Sequence, residues 1–575
     1  MNDNSDNAPS IPLSAEAPSS LSASAPGGGA IVGGGADTAA RRYRWRVAIC
    51  MATLVVSAFM LFYNLGRYSL WGDEALTALK GTGVMETGDT TAVLKNGNII
   101  AWASGRELVG LKVRAMPPAM FYATAASFSV FGVGAWQARL PFALCGLLTV
   151  ALMLWWARRA SPRYLFALSL GIIGNASMFL YFRNCRYYAL AVLAATVVAW
   201  CYHRWDGRKR WLAGLAAASS VLFAAHYSMY VMVYTALFVD FIVWRRRERR
   251  LAVGDWLVVW LPQIIINTAV FLIWCPLKTP TGDSLLTKSL LDRLTLWWWH
   301  LRDLNTVEYL SWPLILLAFM ISAARLKKTP LPTAVPRALT AIVIMTLVLT
   351  GVTNQLTSVT SYADVRYLLP VLPLGIALTA WAVCRLSFGH IVLTVPLAVL
   401  VFFSNITHGG MFFKWSGARS TAWCYVRELL SPNPEPYRPT ADWLNAHAAP
   451  GDTVYVGNGM NGCYPLMFLA PQLRYAWQLN DRSRAAFKDL PPVHIKGEVM
   501  PDWLVGFGPY VGQLQNDLRR YGAPGVNYHL AAKVDVFWPE LYRPELFWRT
   551  FSPITSYDKN RDVVFIFKRA GEPGK

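Results

Sequence analysis

RRYRWRVAICMATLVVSAFMLFYNLG, residues 41–66, sets Arg41, Arg42, Arg44 and Arg46 ahead of a charge-free run reaching Leu65. Wound as helix at ~1.5 Å per residue, a run of that length crosses a hydrocarbon core of ~30 Å. Similar apolar runs recur as far as Ile406. Over the 575 residues, 54% are hydrophobic and only 15% charged, too few charges for an ordinary soluble chain of this size. The expected class is a polytopic α-helical membrane protein. The net charge of +21 does not point to nucleic acid, because Arg and Lys stand in short clusters between apolar runs.

Those clusters set the topology. Basic residues flanking a span stay on the cytoplasmic side, so the N-terminus is expected inside and the first span leads outward. Arg158, Arg159 and Arg163 follow the run 137–156; Arg204, Arg208, Lys209 and Arg210 follow 187–202; Arg245 to Arg250 follow 226–244. Arg325, Lys327 and Lys328 follow 309–324, and Arg385 follows 367–384. Each cluster closes every second span, provided that PPAMFYATAASFSVFGV, residues 117–133, lies along the outer interface instead of crossing. The count is then about eleven spans, with the C-terminus outside.

Three regions result. Residues 1–40, rich in Ser, Ala, Gly and Pro, are expected to be a disordered cytoplasmic tail; no cleavable signal peptide is visible. Residues 41–406 form the transmembrane region, with a first external loop over 67–136. Residues 407–575 read as a small external, periplasmic α/β domain, with a helix at Ala441–His447 and strands near Thr453–Gly457, Trp503–Phe507 and Val563–Lys568. Cys424 and Cys463 share that region; a disulfide and two independent thiols are both open, the second being preferred. Gly457, Gly459 and Gly462 mimic a dinucleotide fingerprint with Asp481 about twenty residues on, and are read as a strand-to-helix turn.

On this topology one side of the membrane collects the chemistry. Asp73 and Glu74 follow the first span; Arg183, Arg186, Tyr187 and Tyr188 lie between spans three and four; His226 and Tyr227 begin a later span, with Tyr230 a turn on. Tyr362, Asp364, Arg366 and Tyr367 precede the tenth. Each has a plain alternative: a solvated loop start for the acids, snorkelling for Arg183 and Arg186, an interfacial histidine, a surface ion pair between Asp364 and Arg366. Their common level favours function. Guanidinium groups suit a lipid-linked phosphate, and a carboxylate suits proton removal from a hydroxyl.

The residues also carry a resemblance. Leu70-Trp71-Gly72-Asp73-Glu74-Ala75, Pro117-Pro118 with Phe121-Tyr122, Ala138-Arg139-Leu140-Pro141, Arg183-x-x-Arg186-x-Tyr188 and Arg366-Tyr367-Leu368-Leu369-Pro370 resemble the bacterial branch of the GT-C membrane glycosyltransferases. That branch is similar to protein O-mannosyltransferases and lipid A aminoarabinose transferases, and the likeness covers roughly 45–405. It implies polyprenyl-phosphate sugars as donors, Asp73 as base and Glu74 as its support or as an acceptor contact. Many relatives have His or Lys just before the proline pair; this chain has Met116, which leaves Arg114 as a substitute. Relatives that use aminoarabinose have an Asp near the position of Tyr188, which puts that sugar in doubt.

The expected activity is inverting transfer of a hexosyl or pentosyl group from a polyprenyl-phosphate donor to an acceptor hydroxyl on protein, lipid or glycan, at the periplasmic face of a bacterial inner membrane. Arg183, Arg186, Arg366 and Arg114 would hold the donor phosphate; Tyr187, His226, Tyr227, Asp364 and Tyr367 would contact substrate. No cofactor is expected. A divalent metal near the acid pair stays open, without a His-rich ligand set to argue for it. The rival readings are a transporter or flippase for a lipid-linked sugar, which would show paired broken helices or a repeat, and a polymer ligase with a larger lipid-linked donor.

Overall fold

A computed structural model describes residues 34–101, 107–248, 251–274, 289–306, 310–324, 332–353, 365–404, 406–409, 420–432, 435–457, 459–476, 500–521, 525–536 and 562–570. Helix α1 (Gly34–Phe62) begins before residue 40, so the last residues of the stretch expected to be disordered are helical; 1–33 and Asp481 lie outside the described residues. Beyond α1, Asn64 takes a left-handed conformation with φ 53°, as Asn tolerates past a helix end. Then come α2 (Gly72–Thr87), a hairpin of β1 (Leu108–Val109) and β2 (Lys112–Val113), and α3 (Ala119–Phe131).

The apolar helices follow in order: α4 (Ala135–Ala157), α5 (Pro162–Gly174), α6 (Ala176–Phe182), α7 (Tyr188–Arg204), α8 (Lys209–Ala225) and α9 (Tyr227–Asp240). After a π-helical turn at Phe241–Arg245 come α10 (Arg246–Glu248), α11 (Val253–Trp274), α12 (Leu290–Thr306), α13 (Trp312–Ala324) and α14 (Ala334–Val352). A 3-10 turn at Val365–Val371 leads into α15 (Leu372–Leu386), and α16 (Ile391–Phe403) follows. Six continuous helical stretches are long and apolar enough to cross a membrane: Ala40–Phe62, Ala135–Ala157, Tyr227–Glu248, Val253–Trp274, Ala334–Val352 and Val365–Leu386. The pair α5 and α6 adds a seventh candidate, bent by 60° at Asn175. The chain is a multi-pass membrane protein, and α11 shows why: Ile264, Ile265 and Leu272 are 58%, 62% and 70% exposed, a surface that suits lipid and not water. Helix α3, within the segment read as interfacial, has 13 residues, as do α13 and α16.

Polar side chains tie the bundle together where helices meet. Asp240 of α9 accepts from Arg337 of α14 at Nε (2.8 Å) and Nη2 (2.6 Å) and from the Tyr202 hydroxyl of α7 (2.7 Å). Arg337 also reaches Glu248 of α10 at 3.2 Å, across the π-helical turn.

Short helices α17 (Ile406–Gly409), α18 (Thr421–Leu430) and α19 (Tyr437–His447) lead to the C-terminal sheet. It consists of β3 (Thr453–Val456), β4 (Arg474–Tyr475), β5 (Trp503–Phe507), β6 (Tyr528–Asp535) and β7 (Val563–Arg569), in the order β4-β3-β5-β7-β6. β3 runs parallel to β4 and β5, while β7 is antiparallel to β5 and β6. Helices α20 (Gly459–Leu469) and α21 (Val511–Tyr521) complete it. Gly457 ends β3 before α20, the turn read from the sequence. A Cβ there would lie 2.6 Å from the Leu514 Cβ of α21, so close helix packing explains that glycine without any nucleotide. Cys424 and Cys463 are both free thiols.

This sheet is hooked onto the first loop. Asn98 donates to the Leu473 carbonyl (3.0 Å) and accepts from the Tyr475 N–H (2.9 Å). Asn96 donates to the Pro471 carbonyl (2.9 Å), and the Tyr464 hydroxyl of α20 donates to the Ala101 carbonyl (3.0 Å). Phe128 of α3 stacks with Phe468 at 6.3 Å.

Candidate active site

The site is built on the first turn of α2, where two adjacent carboxylates meet different fates. Successive helical residues point about 100° apart. Glu74 turns inward and is fully buried. Its Oε1 accepts from Arg139 Nε (2.9 Å) and from the Cys185 N–H (2.7 Å), and its Oε2 accepts from Arg139 Nη2 (2.5 Å). Arg139, on α4, also donates to the carbonyls of Leu65, Tyr68 and Ser69 at 2.8–3.0 Å. This buried fork pins the 65–70 loop, α2 and α4 to one another. Glu74 is thus held by protein donors and shut off from solvent.

Asp73 turns the other way and keeps its side chain 36% exposed. Its Oδ2 lies 3.4 Å from Arg186 Nη2. Arg186 Nη1 also donates to Thr77 Oγ1 at 3.1 Å, one turn further along α2. The Arg186 side chain is 8% exposed, and its buried Nε has no hydrogen-bond partner among the described residues. An arginine so enclosed, with one donor unsatisfied, is ready for a further acceptor.

An aromatic wall stands beside it. The guanidinium carbon of Arg186 lies 5.1 Å from the Tyr187 ring centre. Tyr187 meets the His226 ring at 4.5 Å, and His226 meets Tyr367 at 5.5 Å. Arg366 extends the wall, 5.8 Å from the Tyr367 ring. His226 caps α9, its Nδ1 accepting the Met229 N–H at 3.2 Å; this nitrogen is therefore unprotonated. The stretch from Arg183 to Tyr187 is a turn, with the Arg186 N–H on the Asn184 carbonyl at 2.7 Å. That turn sends the two arginines to different places.

Two expected phosphate ligands are engaged elsewhere. Arg183 donates to the carbonyls of Met60, Leu61 and Tyr63 through Nη1 and of Asn64 through Nη2, at 2.8–3.2 Å, closing the end of α1. Arg114 grips Asp89 at 2.8 and 2.5 Å beneath the Trp274 ring. Both guanidinium groups are committed to protein oxygens, which removes them from the phosphate-binding set. Arg114, with Lys112 at 3.0 Å, holds Asp89 well below the ordinary carboxylate range, chiefly through the Arg114 hydrogen bonds. Tyr227 meets Phe223 at 5.0 Å. Tyr362 and Asp364 lie outside the described residues. Among the described residues, no three His, Cys, Asp or Glu side chains gather as a metal would need.

The sequence reading passed over Lys80. It follows Asp73 and Thr77 at helical spacing, on the same face of α2, and is fully buried. Its Nζ lies 3.2 Å from Met116 Sδ, so a lysine from α2 reaches the position for which Arg114 had been the expected substitute. Burial pulls the Lys80 amine down to about 8; Glu107 raises it, Arg186 lowers it and Asp73 raises it.

Comparison with known proteins bears on the fold. The sequence profile of the dolichyl-phosphate-mannose-protein mannosyltransferase family matches residues 115–274. The fold is similar to that of ArnT from Cupriavidus metallidurans in the apo state, at TM-score 0.57 and 14% identity over 92% of this chain and 98% of that one. The chain has the GT-C fold. ArnT bound to undecaprenyl phosphate is similar at TM-score 0.52 and 14% identity, over 91% of this chain and 98% of that one. No curated protein matches by sequence. In this GT-C chain the matched profile region runs from just before the proline pair to the end of α11, and includes Arg139, Arg186, Tyr187 and His226.

Proposed function

We propose that the protein is an inverting glycosyltransferase that moves a sugar from a polyprenyl-phosphate donor to an acceptor hydroxyl. The observation that carries this reading is the pairing of an accessible Asp73 with a buried, incompletely satisfied Arg186 against an aromatic wall. In the reaction, Asp73 takes the proton of the acceptor hydroxyl as its oxygen bonds the anomeric carbon. The bond from that carbon to the phosphate oxygen breaks, and the phosphate leaves on its lipid. Arg186 holds the phosphate, with Arg366 as the second guanidinium on the wall. As Asp73 gains the proton it loses its hold on Arg186, whose charge then serves the departing phosphate. One displacement inverts the sugar, and no metal-dependent step is needed.

The same reading assigns the acceptor, whether protein, lipid or glycan, to the periplasmic side of a bacterial inner membrane. It keeps about eleven spans: α1, α4, the bent α5–α6 pair, α7, α8, α9, α11, α13, α14, α15 and α16 are apolar helices in the required order. It also treats 407–575 as a periplasmic domain closing the site. A transporter would use bent helices in corresponding pairs; among the described residues one bent pair occurs.

The test is incubation of purified protein with a panel of polyprenyl-phosphate monosaccharides and candidate acceptors, with the anomeric configuration of the product read by NMR. Inverted product with one donor is expected. Retained configuration overturns the single displacement, turnover only with long oligosaccharide donors favours a polymer ligase, and lipid-sugar movement across vesicles without transfer favours a transporter.

A further inference from the structure

At the end of α9 away from the aromatic wall, α7, α8, α9 and α11 leave a groove between them. The His226 cap and the π-helical turn stand at opposite ends of α9, roughly 20 Å apart by helical rise. The groove encloses about 600 Å³, within the ~300–1,000 Å³ of sites that take a small molecule. Its wall is Leu, Val, Phe, Tyr and Trp throughout: Leu212 and Leu215 come from α8, Phe238 from α9, Phe241 from the π-helical turn, Trp260 from α11 and Trp205 from just beyond α7. Phe238 and Trp260 are exposed, so the groove lies open on the surface of the bundle. The Tyr202 and Tyr234 hydroxyls in the wall are taken by Asp240 and Ser219, each at 2.7 Å. The Trp205 indole N–H is not taken. Trp205 is 4% exposed, and its Nε1 is buried with no partner among the described residues. A buried donor left without an acceptor is costly, and an occupant with an oxygen would supply one.

The rim of the groove is basic. Helix α8 begins at Lys209, one turn before Leu212, and no side chain caps its N-terminus. The first N–H groups of a helix and the positive end of its dipole suit an anion. Lys209 reaches across to the start of α11, where a Cβ on Gly254 would stand 3.8 Å from its Nζ. Among the described residues no acidic side chain pairs with Lys209 or Arg210, while Arg208 has Asp206 at 3.6 Å. Asp255, in the first turn of α11, caps its own helix through the Ala252 N–H at 3.1 Å. Next to the groove, Arg245 and Arg337 are matched by Glu248 at 3.0 Å and Asp240 at 2.6 Å, so the surplus positive charge sits at the rim. An occupant therefore needs a long apolar part, an oxygen acceptor near its head and a net negative charge. Those three belong together in an anionic phospholipid. We propose that the groove is a binding site for one such lipid. An acyl chain lies along α8 past Leu212 and Leu215, a glycerol ester carbonyl accepts the Trp205 N–H, and the phosphate rests at the α8 N-terminus beside Lys209. Surrounding lipid fills any apolar groove whatever its headgroup. Here the headgroup is selected, because the ammonium of a zwitterionic lipid meets like charge at Lys209 and Arg210. The site is separate from Asp73 and Arg186, and holds whichever reaction they serve.

The test uses full-length purified protein in detergent, stripped of copurifying lipid and titrated with dioleoylphosphatidylglycerol or dioleoylphosphatidylcholine. Native mass spectrometry counts the lipids bound. One phosphatidylglycerol should bind at least about tenfold more tightly than phosphatidylcholine, given the basic side chains beside its headgroup. Lys209→Gln should cut that preference about fivefold and leave phosphatidylcholine binding as it was. Leu237→Trp, from a half-buried position in the groove wall, should abolish the tight site for both lipids. Thermal melting establishes that each variant is folded, and Leu251→Trp, also in the wall, serves if Leu237→Trp is not. Equal affinity for the two lipids in the wild type, an undiminished preference in Lys209→Gln, or a tight site that persists in a folded filling variant overturns the assignment.

Discussion

Asp73 and Glu74 are neighbours in sequence, yet one is exposed chemistry and the other is buried scaffold. The Glu74 carboxylate sits with the Arg139 guanidinium out of water, where removing one charge strands the other. Glu74→Gln should therefore destabilise by about 3–5 kcal/mol, seen as a sharply lower melting temperature, with loss of activity following loss of structure. Lys80→Met should do the opposite. Its folded value of about 8 lies below the ordinary lysine value of about 10.4, so the unfolded chain binds more protons between those pH values and stability rises with pH across that window. Below it, burial of the ammonium costs on the order of 3 kcal/mol. The substitution should raise the melting temperature at pH near 7, and the gain should fade as pH approaches about 10. The sequence made Asp73, Arg186, Tyr187, His226 and Tyr367 visible because they are polar or aromatic groups beside apolar runs. It could not show Arg139 closing on Glu74 from 65 positions away, nor Met116 closing on Lys80.

Between helices, what matters is where a helix stops. Arg183 and Arg186 are three apart, the spacing of one helical face, and were read as a pair. The chain turns between α6 and α7, so Arg183 closes the end of α1 while Arg186 enters the site. Helical periodicity could not reveal that, since the turn depends on contacts with α1 and α2. Arg183→Ala should lower thermal stability by about 1–3 kcal/mol through the carbonyls it leaves unsatisfied, while the KM for donor stays within about twofold. An equal loss in donor binding would return Arg183 to the site. Apolar helices were legible from run length. The bend at Asn175 was not, because the run 162–182 is continuous in hydrophobicity.

Across the molecule, the C-terminal sheet and the first loop are joined by backbone-directed hydrogen bonds from Asn96, Asn98 and Tyr464. The strands near residues 453, 503 and 563 were legible as short β-branched and aromatic runs; their attachment to the loop that carries Asp73 was not, since Asn98 and Leu473 are 375 residues apart. Asn98→Ala removes two of these bonds and should make the C-terminal segment more sensitive to limited proteolysis, with the helical bundle protected as before. Unchanged proteolysis would mean that the apolar contact between Phe128 and Phe468 suffices to hold it. The whole arrangement turns on one carboxylate acting as a base. The direct measurement is single-turnover sugar transfer by wild type and by folded Asp73→Asn at saturating donor. A loss on the order of 100-fold or more, with the melting temperature preserved, is the predicted result; turnover near that of wild type would contradict the account.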